Sequence, residues 1–135
     1  MFWSRKKLEP PEIASANGIF VWDGDAVWIC DDYAWHDDFI YLRYWGRRFD
    51  VADLPRFAEI LRELDRFIEL ALSHEQAEIA RQEHSPQEIT LEGIDIDPSN
   101  ASIDFELHFS FERWPDGNLG VHFRGDEVVS SCVDD

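Results

Sequence analysis

Only two cysteines, Cys30 and Cys132, occur in 135 residues, which leaves no disulfide framework and no CxxC zinc spacing. Both are expected as reduced thiols. Basic residues are scarce, 12 Lys and Arg against 29 Asp and Glu, for a formal net charge of −17. Direct binding to nucleic acid is thereby disfavoured, since neutralising phosphates is what holds proteins on it. An anionic membrane surface is disfavoured for the same reason. Apolar runs extend for only a few residues, far short of the roughly twenty that span a bilayer. The basic cluster Arg5-Lys6-Lys7 runs into Glu9-Pro10-Pro11, where a signal peptide would need an apolar stretch, so a cytoplasmic location is expected.

Catalytic signatures are lacking too, each for want of a particular residue. His74-Glu75-Gln76-Ala77-Glu78 opens like a zinc-protease helix but has Glu where the second histidine must stand one turn on. Asp23-Gly24-Asp25 opens like a calcium loop, but Val27 and Trp28 replace an oxygen ligand and the turn glycine. No Gly-rich phosphate loop and no G-x-S-x-G elbow is present. No catalytic residue, metal or cofactor is expected on these grounds.

Apolar side chains are plentiful: 44% of the residues are hydrophobic and 14% aromatic, with six Trp and ten Phe. That content excludes a disordered acidic tail and predicts one globular domain over residues 1–135. Residues 19–22 and 26–30 read as strands around Asp23-Gly24-Asp25, a hairpin turn, followed by a polar stretch from Asp31 to Asp38 and a third strand over 39–45. Asp53 is placed to cap a helix with Pro55 in its first turn. Leu54, Phe57, Ile60, Leu61, Leu64, Phe67, Ile68, Ala71 and Leu72 recur at helical spacing and predict one long amphipathic helix. The S-x-x-Q pattern of Ser73 and Gln76 predicts a break there, followed by a shorter, more polar helix ending before Pro86. Beyond it, Ile103, Phe105, Leu107, Phe109 and Phe111 alternate with polar residues, and Trp114 to Asn118 reads as a turn into Leu119, Val121 and Phe123. Ile89 and Leu91 are out of phase with Ile94 and Ile96, predicting a bulge near Gly93. The expected fold is α+β: an antiparallel sheet, made of an N-terminal hairpin and a C-terminal meander, packed on the long helix.

Charge is unevenly spread. Residues 85–135 carry 12 acids and 2 bases, and residues 23–38 carry six aspartates and no base. Within the second segment, Tyr33 and Trp35 lie between the pairs Asp31-Asp32 and Asp37-Asp38, an arrangement that suits aromatic anchors inside a steering charged rim. The expected partner-binding residues are Asp31, Asp32, Tyr33, Trp35, Asp37 and Asp38, with Asp104 and Glu106 from the meander. His108 and His122 lie on the polar face of neighbouring strands; they read as solvated side chains, or as a metal or acid–base pair with Asp104 and Glu106.

This overall character, compact, very acidic, aromatic-rich and without a catalytic motif, resembles the immunity proteins of bacterial polymorphic and contact-dependent toxin systems. The segment Asp31 to Asp38 and the ending Cys132-Val133-Asp134-Asp135 are its local features. The resemblance implies a stoichiometric inhibitor that occludes the basic active site of a toxin domain. Two other classes fit the same composition. One is a small enzyme or ligand-binding domain with a site between helix and sheet; the other is an acidic adaptor or nucleic-acid mimic.

Overall fold

A computed structural model describes residues 11–74, 89–112 and 114–134. The first four strands are β1 (Glu12–Ser15), β2 (Gly18–Trp22), β3 (Val27–Trp35) and β4 (Asp38–Trp45), each antiparallel to the one before. A 3-10 turn (Val51–Asp53) then leads into helices α1 (Leu54–Arg62) and α2 (Leu64–Ser73). The remaining strands are β5 (Ile89–Ile96), β6 (Phe105–Phe111), β7 (Trp114–Arg124) and β8 (Glu127–Asp134), again antiparallel in succession. All eight form one sheet in chain order, and β4 and β5 meet in parallel. A parallel pair needs a crossover, and the helices lie within it. The chain is thus a single α+β domain, with a larger sheet than the expected hairpin plus meander.

Alternation decides which face the helices cover. Phe20, Leu42, Tyr44, Ile94, Ile96, Leu107, Phe109, Leu119, Val121 and Phe123 are almost fully buried with Phe57, Leu61, Leu64, Phe67 and Ala71 of the helices. Phe67 meets Phe105 and Phe123 edge to face at 5.0 and 5.3 Å, and Phe20 meets Phe57 at 5.2 Å, so helices and sheet share one core. Tyr44 ties the sheet to the start of α1 by donating to Asp53 Oδ2 at 2.6 Å. Asp53 therefore stands at the predicted cap position, with its carboxylate turned to the tyrosine instead of to a helix amide.

Five expectations are corrected. The helix is not one long rod: it breaks at Glu63, whose backbone leaves the helical region at φ −118° and ψ 26°. No Pro or Gly marks that break. Its effect is that each of two short helices keeps its own buried stripe on a twisted sheet. Ser73 does not open a second helix; it closes α2, and its hydroxyl donates to the Glu69 carbonyl at 2.8 Å. The shorter helix expected up to Pro86 lies outside the described residues. Asp31 to Asp38 is not a loop, because β3 runs on to Trp35 and turns tightly through His36 at φ 55° into β4. Trp114 to Asn118 already belongs to β7: Phe111 pairs with Trp114 and Ser110 with Asn118, so the strand bulges between them, where a proline lacking its amide hydrogen is tolerated. The expected irregularity near Gly93 is present as a register shift between Leu91 and Gly93. Ile103 precedes β6 and is only half-buried, outside the core row it was expected to begin.

The shared core predicts that Leu64→Ala and Phe105→Ala each lower unfolding free energy by about 2–5 kcal/mol. Urea denaturation followed by tryptophan fluorescence measures this. A loss below about 1 kcal/mol at both positions would contradict a core common to helix and sheet.

Candidate functional site

The face of the sheet opposite the helices carries the most connected polar cluster among the described residues. Strand register builds it in two rows. In the first, Arg43 on β4 pairs with Asp95 on β5, Asp95 with Glu106 on β6, Glu106 with His122 on β7, and His122 with Ser130 on β8. Five polar side chains thus lie side by side across five strands. In the second row, Tyr41 pairs with Gly93, Gly93 with His108, His108 with Gly120, and Gly120 with Cys132.

Glycine alternates with a side chain in that second row, and the glycines make the cluster possible. A Cβ at Gly93 would overlap the Tyr41 ring, and one at Gly120 would overlap the Glu106 carboxylate. Tyr41 and Glu106 can lie flat across the sheet only because those two methyl positions are empty. Glu106 is thereby brought over to His108 as well as His122.

The resulting contacts are short. Arg43 binds Asp95 in a two-pronged pair, Nε to Oδ1 at 2.7 Å and Nη2 to Oδ2 at 3.0 Å, and Nη2 also donates to the Tyr41 hydroxyl at 2.8 Å. Its guanidinium lies 4.0 Å above the Tyr41 ring and 5.5 Å from that of Trp45. His108 Nε2 lies 2.9 Å from Asp95 Oδ2 and 3.1 Å from Glu106 Oε2. His122 Nε2 lies 3.3 Å from that same Glu106 oxygen, and its Nδ1 is 2.7 Å from Ser130 Oγ. A cavity of about 400 Å³ opens over the cluster, lined by Arg43, Trp45, Asn100, Ile103 and the two histidines among others.

Burial sharpens these charges. Asp95 is 7% exposed, a buried carboxylate between the core residues Ile94 and Ile96. Burial alone would raise its pKa, but hydrogen bonds and charge from His108 and Arg43 outweigh that and hold it below the usual carboxylate range. For His108, burial acts to depress the pKa, and the hydrogen bonds and charges of Asp95 and Glu106 overcome it, pushing the imidazole up to about 9. The ring is therefore a cation at neutral pH, set between two carboxylates. Tyr41 is shifted upward by burial and by the nearby Asp95 charge, so it serves as a neutral hydrogen-bonding phenol.

The residues expected from the sequence fall in separate places. Glu106 is in the cluster, with both histidines, which are half-buried and bonded rather than solvated. Asp104 is not: its carboxylate accepts from the Gly125 amide at 2.6 Å and its carbonyl from Arg56 at 2.6 Å, which fastens the start of β6. Asp37 and Asp38 are exposed at the turn of the β3–β4 hairpin, whereas Asp31 and Asp32 are exposed at a bulge within β3, where Asp31 lines a second pocket with Tyr41, Arg43 and His108. Tyr33 and Trp35 are partly buried against the edge of the core, and Trp35 meets the His36 ring at 4.4 Å. His36 in turn reaches Asp65 of α2 at 3.8 Å, so the tip leans toward the helices and away from the polar cluster.

Tyr41, Arg43 and Asp95 were not legible as site residues. Arg43 and Asp95 are 52 positions apart and meet only across the parallel pair. The available signal was local: an aspartate between two isoleucines in a strand, and an arginine with Tyr41 and Trp45 two positions to either side in another. Comparison with known proteins returns no matching family, no matching curated protein and no matching solved structure.

The raised pKa of His108 fixes the sign of a pH effect. Its charged form is favoured by folding, so the stabilisation is complete below the unfolded value of about 6.5 and is lost as pH rises through about 9. Urea midpoints for the wild type are expected to fall across that window, and those of His108→Gln to change less. An imidazole resonance of His108 that titrates near 6.5 by NMR would contradict the assigned network.

Proposed function

We propose that this chain is an acidic protein-binding inhibitor of the immunity type, one that neutralises a bacterial toxin by covering a basic active site. The observation that carries this reading is the end of the β3–β4 hairpin. Asp37 and Asp38 are exposed at its turn, Asp31 and Asp32 are exposed at the bulge in β3, half-buried Tyr33 and Trp35 lie between the two pairs, and Phe39 on the other face of the hairpin is 62% exposed. Charge at such a rim accelerates encounter with a basic partner, while ring area at its centre slows dissociation. A formal charge of −17 favours a basic protein as the partner over nucleic acid or an anionic membrane. No helix among the described residues is long and apolar enough to cross a membrane. Action in the bacterial cytoplasm belongs to the same proposal, because an inhibitor of this kind must meet its toxin where the toxin acts.

A second reading, a small enzyme or ligand-binding domain, is favoured by the Arg43, Asp95, Glu106, His108 and His122 cluster and the cavity above it. Its location differs from the one expected. The space between helices and sheet is filled by the apolar core, and the convergent polar groups lie on the opposite face.

The two readings use different residues, and one set of variants separates them. The partner to assay is the protein that a pull-down with this chain recovers from its native host. Raising salt is expected to slow association, because exposed charges are screened over about 8 Å at physiological ionic strength. Replacing Asp31, Asp32, Asp37 and Asp38 together by Asn is expected to slow it further. Trp35→Ala is expected to weaken the complex by about 2 kcal/mol, with His108→Ala and His122→Ala near neutral. Surface plasmon resonance at fixed salt reads all of these. An association rate indifferent both to salt and to the four aspartates would remove the hairpin tip as the docking site.

A further inference from the structure

We propose that Asp95, Glu106 and His108 form a binding site for one divalent transition-metal ion, zinc being the best fit, with His122 available as a further donor. The site is independent of the hairpin tip and of the inhibitor reading. One ligand atom from each of the three residues lies within 4.8 Å of the others, and they come from two adjacent strands, β5 and β6.

Geometry is the first argument. In a tetrahedral zinc site with bonds of about 2.0–2.1 Å, ligand atoms sit about 3.3 Å from one another. His108 Nε2 is 2.9 Å from Asp95 Oδ2 and 3.1 Å from Glu106 Oε2, and His122 Nε2 is 3.3 Å from Glu106 Oε2. Each of these three separations lies within a few tenths of an ångström of that spacing. The proton that His108 shares with the two carboxylates occupies the position a metal would take.

The groups behind the ligands are the second argument. A metal-binding histidine characteristically has its other ring nitrogen engaged, which fixes the ring and leaves the ligating nitrogen free to point inward. His122 has that arrangement, with Nδ1 on Ser130 Oγ at 2.7 Å and Nε2 toward Glu106. Asp95 is likewise held, by both prongs of Arg43, and each oxygen of an ionised carboxylate keeps a further lone pair. An ion entering there displaces that proton to solvent, and with Arg43 offsetting one of the two negative charges the donors then amount to one net carboxylate charge and neutral imidazole. That mixture of oxygen and nitrogen suits zinc, and a purely hard ion such as magnesium poorly. The cavity over the cluster supplies the route of entry and room for a water as the remaining ligand.

The test is isothermal titration of zinc chloride into the full chain after removal of metals with a chelator. Saturable binding of one zinc per chain is expected, weakened at least about tenfold by His108→Ala and by Glu106→Gln. His74→Ala and a double Asp37→Asn, Asp38→Asn variant at the hairpin turn are expected to bind zinc as the wild type does. Equal affinity in wild type and His108→Ala, or no saturable binding, would overturn the site. Should His108→Ala fail to fold, Glu106→Gln and the visible spectrum of the cobalt(II) protein decide. A wild-type cobalt spectrum identical to that of the aqueous ion would overturn it as well.

Discussion

The parallel pairing of β4 with β5 is the constraint on which the remaining architecture depends. Every other neighbouring pair of strands is joined by a short connection and could form by itself. This pair cannot, because parallel strands need a long crossover, and in this chain the crossover carries the two helices that cover the core. The same pairing places Arg43 against Asp95. Core and polar cluster are therefore opposite faces of one event: as Leu42 and Ile94 turn inward, their neighbours Arg43 and Asp95 must turn outward and meet.

Asp95 shows how such a site is held. A carboxylate 7% exposed would be costly if unpaired, since removing a charge from water carries a penalty of several kcal/mol. Two cations meet it, Arg43 in a two-pronged pair and His108 at 2.9 Å. Neither could approach without the space that glycine leaves. Gly93 admits the Tyr41 ring that supports Arg43, and Gly120 admits the Glu106 carboxylate that holds both histidines. Two absent methyl groups thus decide whether five charged and polar side chains can converge.

How much of this was legible follows from the range of each interaction. Alternation in β6 and the helical spacing of Phe57, Leu61 and Leu64 are local, so the core and the α+β class could be read from the chain. The helix break at Glu63 has no local marker, neither proline nor glycine. The aspartate-rich stretch reads as a loop because acidic residues disfavour strands, yet Tyr33, Ala34 and Trp35 pair with β4 and carry β3 past Asp31 and Asp32, which stand at a bulge. Within the cluster, Glu106 and the histidines are separated by few residues and could be placed together. Arg43 and Asp95 could not, since only the crossover brings them into contact.

The seam between β4 and β5 divides the sheet into two four-stranded antiparallel ribbons, residues 12–45 and 89–134. Within each ribbon, neighbouring strands can zip together from nearby turns with little loss of chain entropy. Joining the ribbons requires closing a segment of more than forty residues before any contact across the seam repays it. Contact across the seam therefore carries the largest loop-closure cost in the topology, and α1 and α2 lie within the segment that must close. A bulky substitution at Gly93 falls on that seam, and its effect should appear in the rate at which the molecule forms as much as in the contacts it finally makes.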